Sequence, residues 1–268
     1  MDKQVILSKC DHTLLAPDAT WERIKKLIVE ATEFRTASVC IPPSFAARAA
    51  AYAAEVVKGN AAEYTGSNAE DLGDVFGKAD FYLNGSADEI LGLSQIERDL
   101  VKPYGKIPVC TVVGFPNGYS VASVKAAETE AAISDGADEI DVVINIGDVK
   151  DGSYIRILNE LSLLKRICGN KILKVIIETC LLTDAEKIEM CKIVSDSGAD
   201  FIKTSTGFGA GGAALSDVEL FKRHLDAHVK IKAAGGIRTL EAAQAFIGAG
   251  ADRVGASALI NACYAHLA

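Results

Sequence analysis

Short runs rich in β-branched residues alternate with longer segments of helical period almost to the C-terminus, and this rhythm leaves few architectures open. Strand candidates are SVCI (38–41), PVCTVVG (108–114), EIDVVI (139–144), ILKVIIE (172–178), FIKTS (201–205), KIKAA (230–234) and RVGAS (253–257). One more near CDHT (10–13) brings the set to eight. Between them, WERIKKLIVEATEF, SVKAAETEAAISDGA, YIRILNELSLLKRI, DAEKIEMCKIVSDSGA, LSDVELFKRHL and TLEAAQAFIGAGA have helical patterning. Thr183 or Asp184 is expected to open one helix and Ser216 or Asp217 another, while Gly136, Gly198 and Gly250 close three. Those three closures share one phrase, SDGADEI, SDSGADFI and GAGADRV, in which a helix end meets Gly-Ala-Asp and then a strand.

Repeated βα units predict a parallel sheet with right-handed crossovers. Eight such units in 268 residues predict a closed (β/α)8 TIM barrel, because an open sheet would leave edge strands and every candidate here reads as buried. The first unit also lacks the G-x-G-x-x-G of a dinucleotide-binding sheet. A single barrel domain over 1–268 is expected, interrupted between its second and third strands by an insertion at about 59–105. That insertion carries nine acidic residues against Lys78, Arg98 and Lys102. A solvated surface excursion, an active-site lid and an oligomer contact are the readings open for it.

With 28 basic and 36 acidic residues the net charge is −8, so the cationic footprint that a general nucleic-acid binder needs is missing. The opening MDKQVILSKCDHTLL is too weakly apolar for a signal peptide, and no apolar run is long enough to span a membrane. A cytoplasmic protein is expected. Seven cysteines without a C-x-x-C pair suggest neither a disulfide framework nor a zinc site, and all seven are expected to be small buried hydrophobes. His224 and His228 stand four apart but have no third ligand, so they read as a solvated helix end and no metal is expected.

A charged residue at a core-facing position of a strand needs an explanation. Asp141, Lys174, Lys203 and Lys232 are such residues, and the three lysines are spaced by 29 and 29, one βα unit each. In a barrel their ammonium groups would enter one cavity. A lysine of ordinary pKa is only about one part in a thousand neutral at physiological pH, and a second ammonium about 5 Å away contributes roughly 3 kcal/mol towards its deprotonation. The set would suit Schiff-base chemistry on an aldehyde or ketone, with Asp141 relaying protons; buried ion pairs with Glu139 or Glu178 are the alternative. Lys174 is expected either to pair with Glu178 or Asp141 or to reach the substrate.

The turns TSTGFGAGGA and AAGGIRT and the later GASAL are rich in glycine, and barrels place phosphates at such strand ends. Gly235, Gly236, Arg238 and Ser257 are therefore expected to bind a substrate phosphate, tight turns that simply need glycine being the alternative, and Thr206 and Gly207 in the first turn are expected among the substrate-binding residues. Cys40 lines the pocket or is a structural thiol. His12 hydrogen-bonds within its strand or acts as a base, and Asp11 joins the relay or caps local backbone.

Taken in order, DHTLL, ASVCIPPSF, VCTVVGFPNG, GADEIDVVINIG, ILKVIIETCLLT, GADFIKTSTGFG, IKAAGGIRT and DRVGAS closely resemble the deoxyribose-phosphate aldolase family, over roughly 1–57 and 106–268. The resemblance implies a TIM barrel and reversible cleavage of 2-deoxy-D-ribose 5-phosphate to D-glyceraldehyde 3-phosphate and acetaldehyde without metal or other cofactor. It implies that Lys203 forms the Schiff base, that Lys232 perturbs it and that Asp141 works in the proton relay. Gly207, Gly235, Gly236 and Ser257 match positions that hold phosphate. The implied partner is a small sugar phosphate, and assembly into a homo-oligomer is left open. Two departures stand out besides the long insertion. Phe208 follows TSTG where some members have lysine, so phosphate would rely on backbone groups and Arg238. Tyr264 in the closing NACYAHLA is not terminal, so it is not given the role of the terminal tyrosine in some members. The competing readings are another class I sugar-phosphate aldolase or transaldolase, and a catalytically silent barrel that binds a sugar phosphate.

Overall fold

The computed structural model describes residues 1–57, 106–260 and 263. The acidic insertion and Tyr264 lie outside the described residues. Eight strands, β1 (Cys10–Thr13), β2 (Ser38–Ile41), β3 (Val109–Val113), β4 (Glu139–Val143), β5 (Ile172–Ile176), β6 (Phe201–Lys203), β7 (Lys230–Ala234) and β8 (Arg253–Ala256), pair in parallel and close in sequence order. Closure is completed by β1 against β8, with Asp11 opposite Gly255. Helices α1 (Lys3–Leu7), α2 (Trp21–Glu33), α3 (Ala46–Val57), α4 (Ala122–Ser134), α5 (Ile146–Lys150), α6 (Tyr154–Cys168), α7 (Asp184–Asp196), α8 (Leu215–His224) and α9 (Leu240–Ala249) accompany the strands.

Side chains alternate across each strand, and the two parities have divided the labour. Outward positions such as Ile140, Val142, Leu173, Val175, Ile202, Ile231 and Val254 belong to the main apolar cluster, packed with Leu161, Leu164, Met190 and Phe221 from the helices. Val39, Ile41 and Val109 do the same with Ile24, Ile28 and Ala49. The hydrophobic layer therefore lies between sheet and helices. Inward positions are free to be polar, and Asp11, Glu139, Asp141, Lys174, Lys203 and Lys232 occupy them, all buried.

Helix ends mostly follow the sequence signals. Thr183 caps α7 in a full capping box with Glu186, and Gly136, Gly198 and Gly250 take positive φ just past their helices. The start of α8 differs from expectation: Ala214 is its cap, and Ser216 and Asp217 already lie in the first turn. Asp217 is recruited by Lys187 of α7 at 2.7 Å, so its carboxylate bridges two helices and does not cap. No helix among the described residues is long and apolar enough to cross a membrane.

Thr183→Ala removes the side-chain half of the capping box, leaving the Glu186 amide without its acceptor, and should lower unfolding stability by about 1 kcal/mol. Urea denaturation measures it, and an unaltered midpoint would remove the cap from the account.

Candidate active site

Strand register brings the inward charges together. Asp141 pairs in register with Lys174 across β4 and β5, Lys203 with Lys232 across β6 and β7, and Lys232 with Arg253 across β7 and β8. Asp141 is the hub. Its Oδ1 accepts from Lys174 Nζ at 2.7 Å, and its Oδ2 accepts from Lys203 Nζ and Lys232 Nζ at 2.8 Å each. The two latter ammonium groups therefore lie within twice that distance of one another. Around the hub, Lys174 Nζ meets Glu139 Oε2 at 2.6 Å, Asp11 lies against Lys232 Nζ, and Arg253 Nη1 bridges Asp11 Oδ1 at 2.7 Å and Glu139 Oε2 at 3.0 Å.

Burial alone would raise the carboxyl pKa of Asp141, but Lys174, Lys203 and Lys232 hold it well below the usual range. Asp11 is likewise held down, against its burial, by Lys232, Lys174 and Arg253. Burial would lower Lys232, yet Asp11 and Asp141 keep it above its ordinary value, and Asp141, Cys110 and Glu139 do the same for Lys174.

Several partners differ from expectation. Lys174 pairs with Asp141 and Glu139 but not with Glu178, because Glu178 lies beyond the end of β5 and serves a different loop. Asp11 caps nothing and belongs to the charge network. His12 takes the opposite parity on β1, so its Nε2 meets Glu30 of α2 at 2.9 Å, outside the barrel and away from the site. Six cysteines are buried, as expected, but Cys180 is exposed.

A cavity of about 450 Å³ opens over the C-terminal ends of β6, β7, β8 and β1, where parallel barrels build their sites. Of the three inward lysines, Lys203 lines it, 3% exposed, whereas Lys174 and Lys232 are completely enclosed beneath. Thr206, Gly207, Gly235, Gly236, Arg238 and Ser257 line the same cavity. Cys40 and Lys174 do not. Cys40 is sealed with Cys110 and Val112 inside the barrel, and Lys174 lies in register with Asp141 one layer below the opening.

The two glycine-rich turns fit only without side chains. A Cβ on Gly212 would lie 2.3 Å from the carbonyl oxygen of Gly235, and the amide of Ala213 donates to that oxygen at 3.1 Å. Glu178, itself at φ 49°, pins the first turn: its Oε2 accepts from the Thr206 amide at 3.2 Å and from Thr206 Oγ1, which in turn accepts from the Phe208 amide at 3.0 Å. Phe208 packs edge-on against Phe115 with ring centroids 5.3 Å apart. Sequence reasoning missed Leu14, Leu15 and Arg23 on the cavity wall, and missed Glu178 as a support of the turn.

Cys40, Cys110 and Asp141 bring potential ligand atoms within 4.8 Å of one another. They do not suit a metal ion: both oxygens of Asp141 already accept from ammonium groups, and an added cation would face three positive charges.

Among the described residues, one lysine lines the cavity and shares a carboxylate with a second lysine below it, an arrangement suited to the Schiff-base chemistry of an aldolase. Residues 82–265 match the family described as DeoC/LacD family aldolase, and the chain belongs to it. The deoxyribose-phosphate aldolase of Clostridium botulinum (strain Alaska E43 / Type E3) is 46% identical over 261 residues, 97% of this chain and 96% of that protein. That of Clostridioides difficile (strain 630) is 42% identical over 254 residues, 95% and 93% of the two chains. Among solved structures, QR15, an aldolase, superposes with a TM-score of 0.75 at 30% identity, covering 98% of this chain and 96% of the other.

The depressed carboxyls set the acid limit. With folded pKa values below the unfolded ones, Asp11 and Asp141 contribute stability that is complete above the ordinary carboxyl range near pH 4 and is lost as pH falls from there towards their folded values. Asp141→Asn removes the carboxylate partner of Lys203 and one of the partners of Lys174 and Lys232, and should cost roughly 3 kcal/mol or more at neutral pH, with a correspondingly smaller loss on acidification. Urea midpoints between pH 3 and 7 test this, and a variant as stable as the parent at pH 7 would contradict it.

Proposed function

We propose that the chain is a class I aldolase that reversibly cleaves 2-deoxy-D-ribose 5-phosphate to D-glyceraldehyde 3-phosphate and acetaldehyde through an imine on Lys203. The observation that carries this reading is that Lys203 alone of the three clustered lysines borders the cavity, with a carboxylate oxygen 2.8 Å from its Nζ. The names of the relatives at 46% and 42% identity support the substrate.

The charge inventory supports the division of roles. Lys174, Lys203, Lys232 and Arg253 oppose Asp11, Glu139 and Asp141, so loss of one proton brings this network to neutrality. Lys203 is the cation at the opening, and its neutral amine is the nucleophile. Lys232, held charged between Asp11 and Asp141, keeps a positive potential beside it. Asp141 accepts hydrogen bonds from both and acts as the relay station through which a proton leaves the amine and returns. Lys174 is a positioning residue that fixes the Asp141 carboxylate by its Oδ1.

The amine of Lys203 adds to the C1 aldehyde, and loss of water gives the protonated imine. The C3 hydroxyl gives up its proton, the C2–C3 bond breaks, and its electron pair moves into the iminium to form an enamine. D-Glyceraldehyde 3-phosphate leaves with C3 as its aldehyde. Protonation of the enamine at C2 and hydrolysis then release acetaldehyde and restore the amine. The phosphate is received at the ends of β6, β7 and β8 by the turns holding Gly207, Gly235, Gly236 and Ser257, with Arg238 beside them. Cytoplasmic residence is part of this reading, and the seven free thiols are suited to a reducing compartment.

Incubation with 2-deoxy-D-ribose 5-phosphate should release acetaldehyde, measured with a coupled alcohol dehydrogenase. Release of dihydroxyacetone phosphate from a ketose phosphate instead would move the chain to another aldolase class, and ligand binding without turnover would make it a silent barrel. Asp141→Asn should slow cleavage by about 10²–10⁴-fold, the usual range for a lost acid–base group. An undiminished rate in the folded variant would take Asp141 out of the relay.

A further inference from the structure

The phosphate end of the cavity has a charge requirement that the turns alone do not meet. A phosphate monoester carries close to two negative charges at neutral pH. Phe208, directly after the TSTG turn, contributes none, and Lys203 is committed to the imine. Among the described residues, the cationic side chains on the cavity wall besides Lys203 are Arg238 and Arg23.

Chain closure puts these two on opposite sides of one strand end. β8, which leads to Ser257, is paired with β7 on one side and β1 on the other. Arg238 follows β7, and Arg23 lies in the first turn of α2, directly after the segment that leaves β1 and lines the cavity through Leu14, Leu15 and Pro17. Resting on the reading above, we propose that Arg23 is a second phosphate-reading residue, which with Arg238 brackets the substrate phosphate over the end of β8.

The surroundings of Arg23 suit that role. Its Nη1 contacts the Asp18 carbonyl at 3.3 Å and the Asp18 carboxylate at 3.2 Å, with 47% of the Arg23 side chain and 82% of the Asp18 side chain exposed. An ion pair so open to water holds its members weakly, so the guanidinium can exchange that carboxylate for a phosphate. A planar guanidinium donates two parallel N–H groups to such an anion together with a full positive charge, which neither Phe208 nor a backbone turn supplies. Binding energy at this end then selects phosphorylated over free sugars without touching the reacting carbon.

The test compares the full chain with Arg23→Gln and Arg23→Lys on 2-deoxy-D-ribose 5-phosphate and on unphosphorylated 2-deoxy-D-ribose, together with titration of inorganic phosphate by calorimetry. Loss of one charge-assisted contact should raise KM for the phosphorylated sugar about tenfold while kcat changes little, and lower phosphate affinity by a similar factor. The preference for the phosphorylated over the free sugar should fall accordingly, with partial recovery in Arg23→Lys. An equal loss on both sugars would mean a structural role only, and an unchanged preference would also overturn the proposal. If the parent protein cleaves neither sugar, the aldolase reading fails by itself, and phosphate titration still decides: undiminished affinity in Arg23→Gln would contradict the role given to Arg23.

Discussion

One buried carboxylate makes the interior of this barrel possible. Asp141 accepts from three ammonium groups, and without it Lys174, Lys203 and Lys232 would repel one another in a space with almost no water. Asp11, Glu139 and Arg253 extend the same network to β1 and β8, so charges on six strands hold one another in place. Such an arrangement is weak evidence for stability, since apolar residues could fill the same space. What it does achieve is to place one amine at a cavity with a carboxylate and a second ammonium group beside it.

The network acts only because register and parity are strict. A one-residue slip of β6 would send Lys203 outward under the helices and bring Ile202 into the barrel. The apolar layer between sheet and helices, formed by Ile140, Val142, Leu173, Val175 and Ile202, opposes that slip, because each of those side chains would have to leave the core. Packing outside the barrel thus positions chemistry inside it. At the opening, the contact of Gly212 with the Gly235 carbonyl and the grip of Glu178 on Thr206 shape the turns that border the cavity.

Much of this was legible in the sequence because periodicity records parity. The recurrence of Gly-Ala-Asp before a strand and the equal spacing of Lys174, Lys203 and Lys232 are enough to read a closed barrel with charges inside it. What escaped depends on closure and on direction beyond the strand ends. Arg23 is 215 positions from Arg238 in the chain, and only the pairing of β1 with β8 brings both to one wall. Glu178 shares the parity of Lys174, but it follows the last strand residue and turns at positive φ towards Thr206, so alternation no longer tells where it points. His12 and Cys180 show the same limit: a residue type suggests a habit, and the neighbours decide.

In the proposed mechanism Lys203, and not either of the lysines enclosed below it, is the amine that reacts. Incubation with acetaldehyde, reduction with borohydride and peptide mapping by mass spectrometry test it directly. The account predicts an ethyl adduct confined to Lys203. An adduct on Lys232 or Lys174, one scattered over surface lysines, or none at all would contradict it.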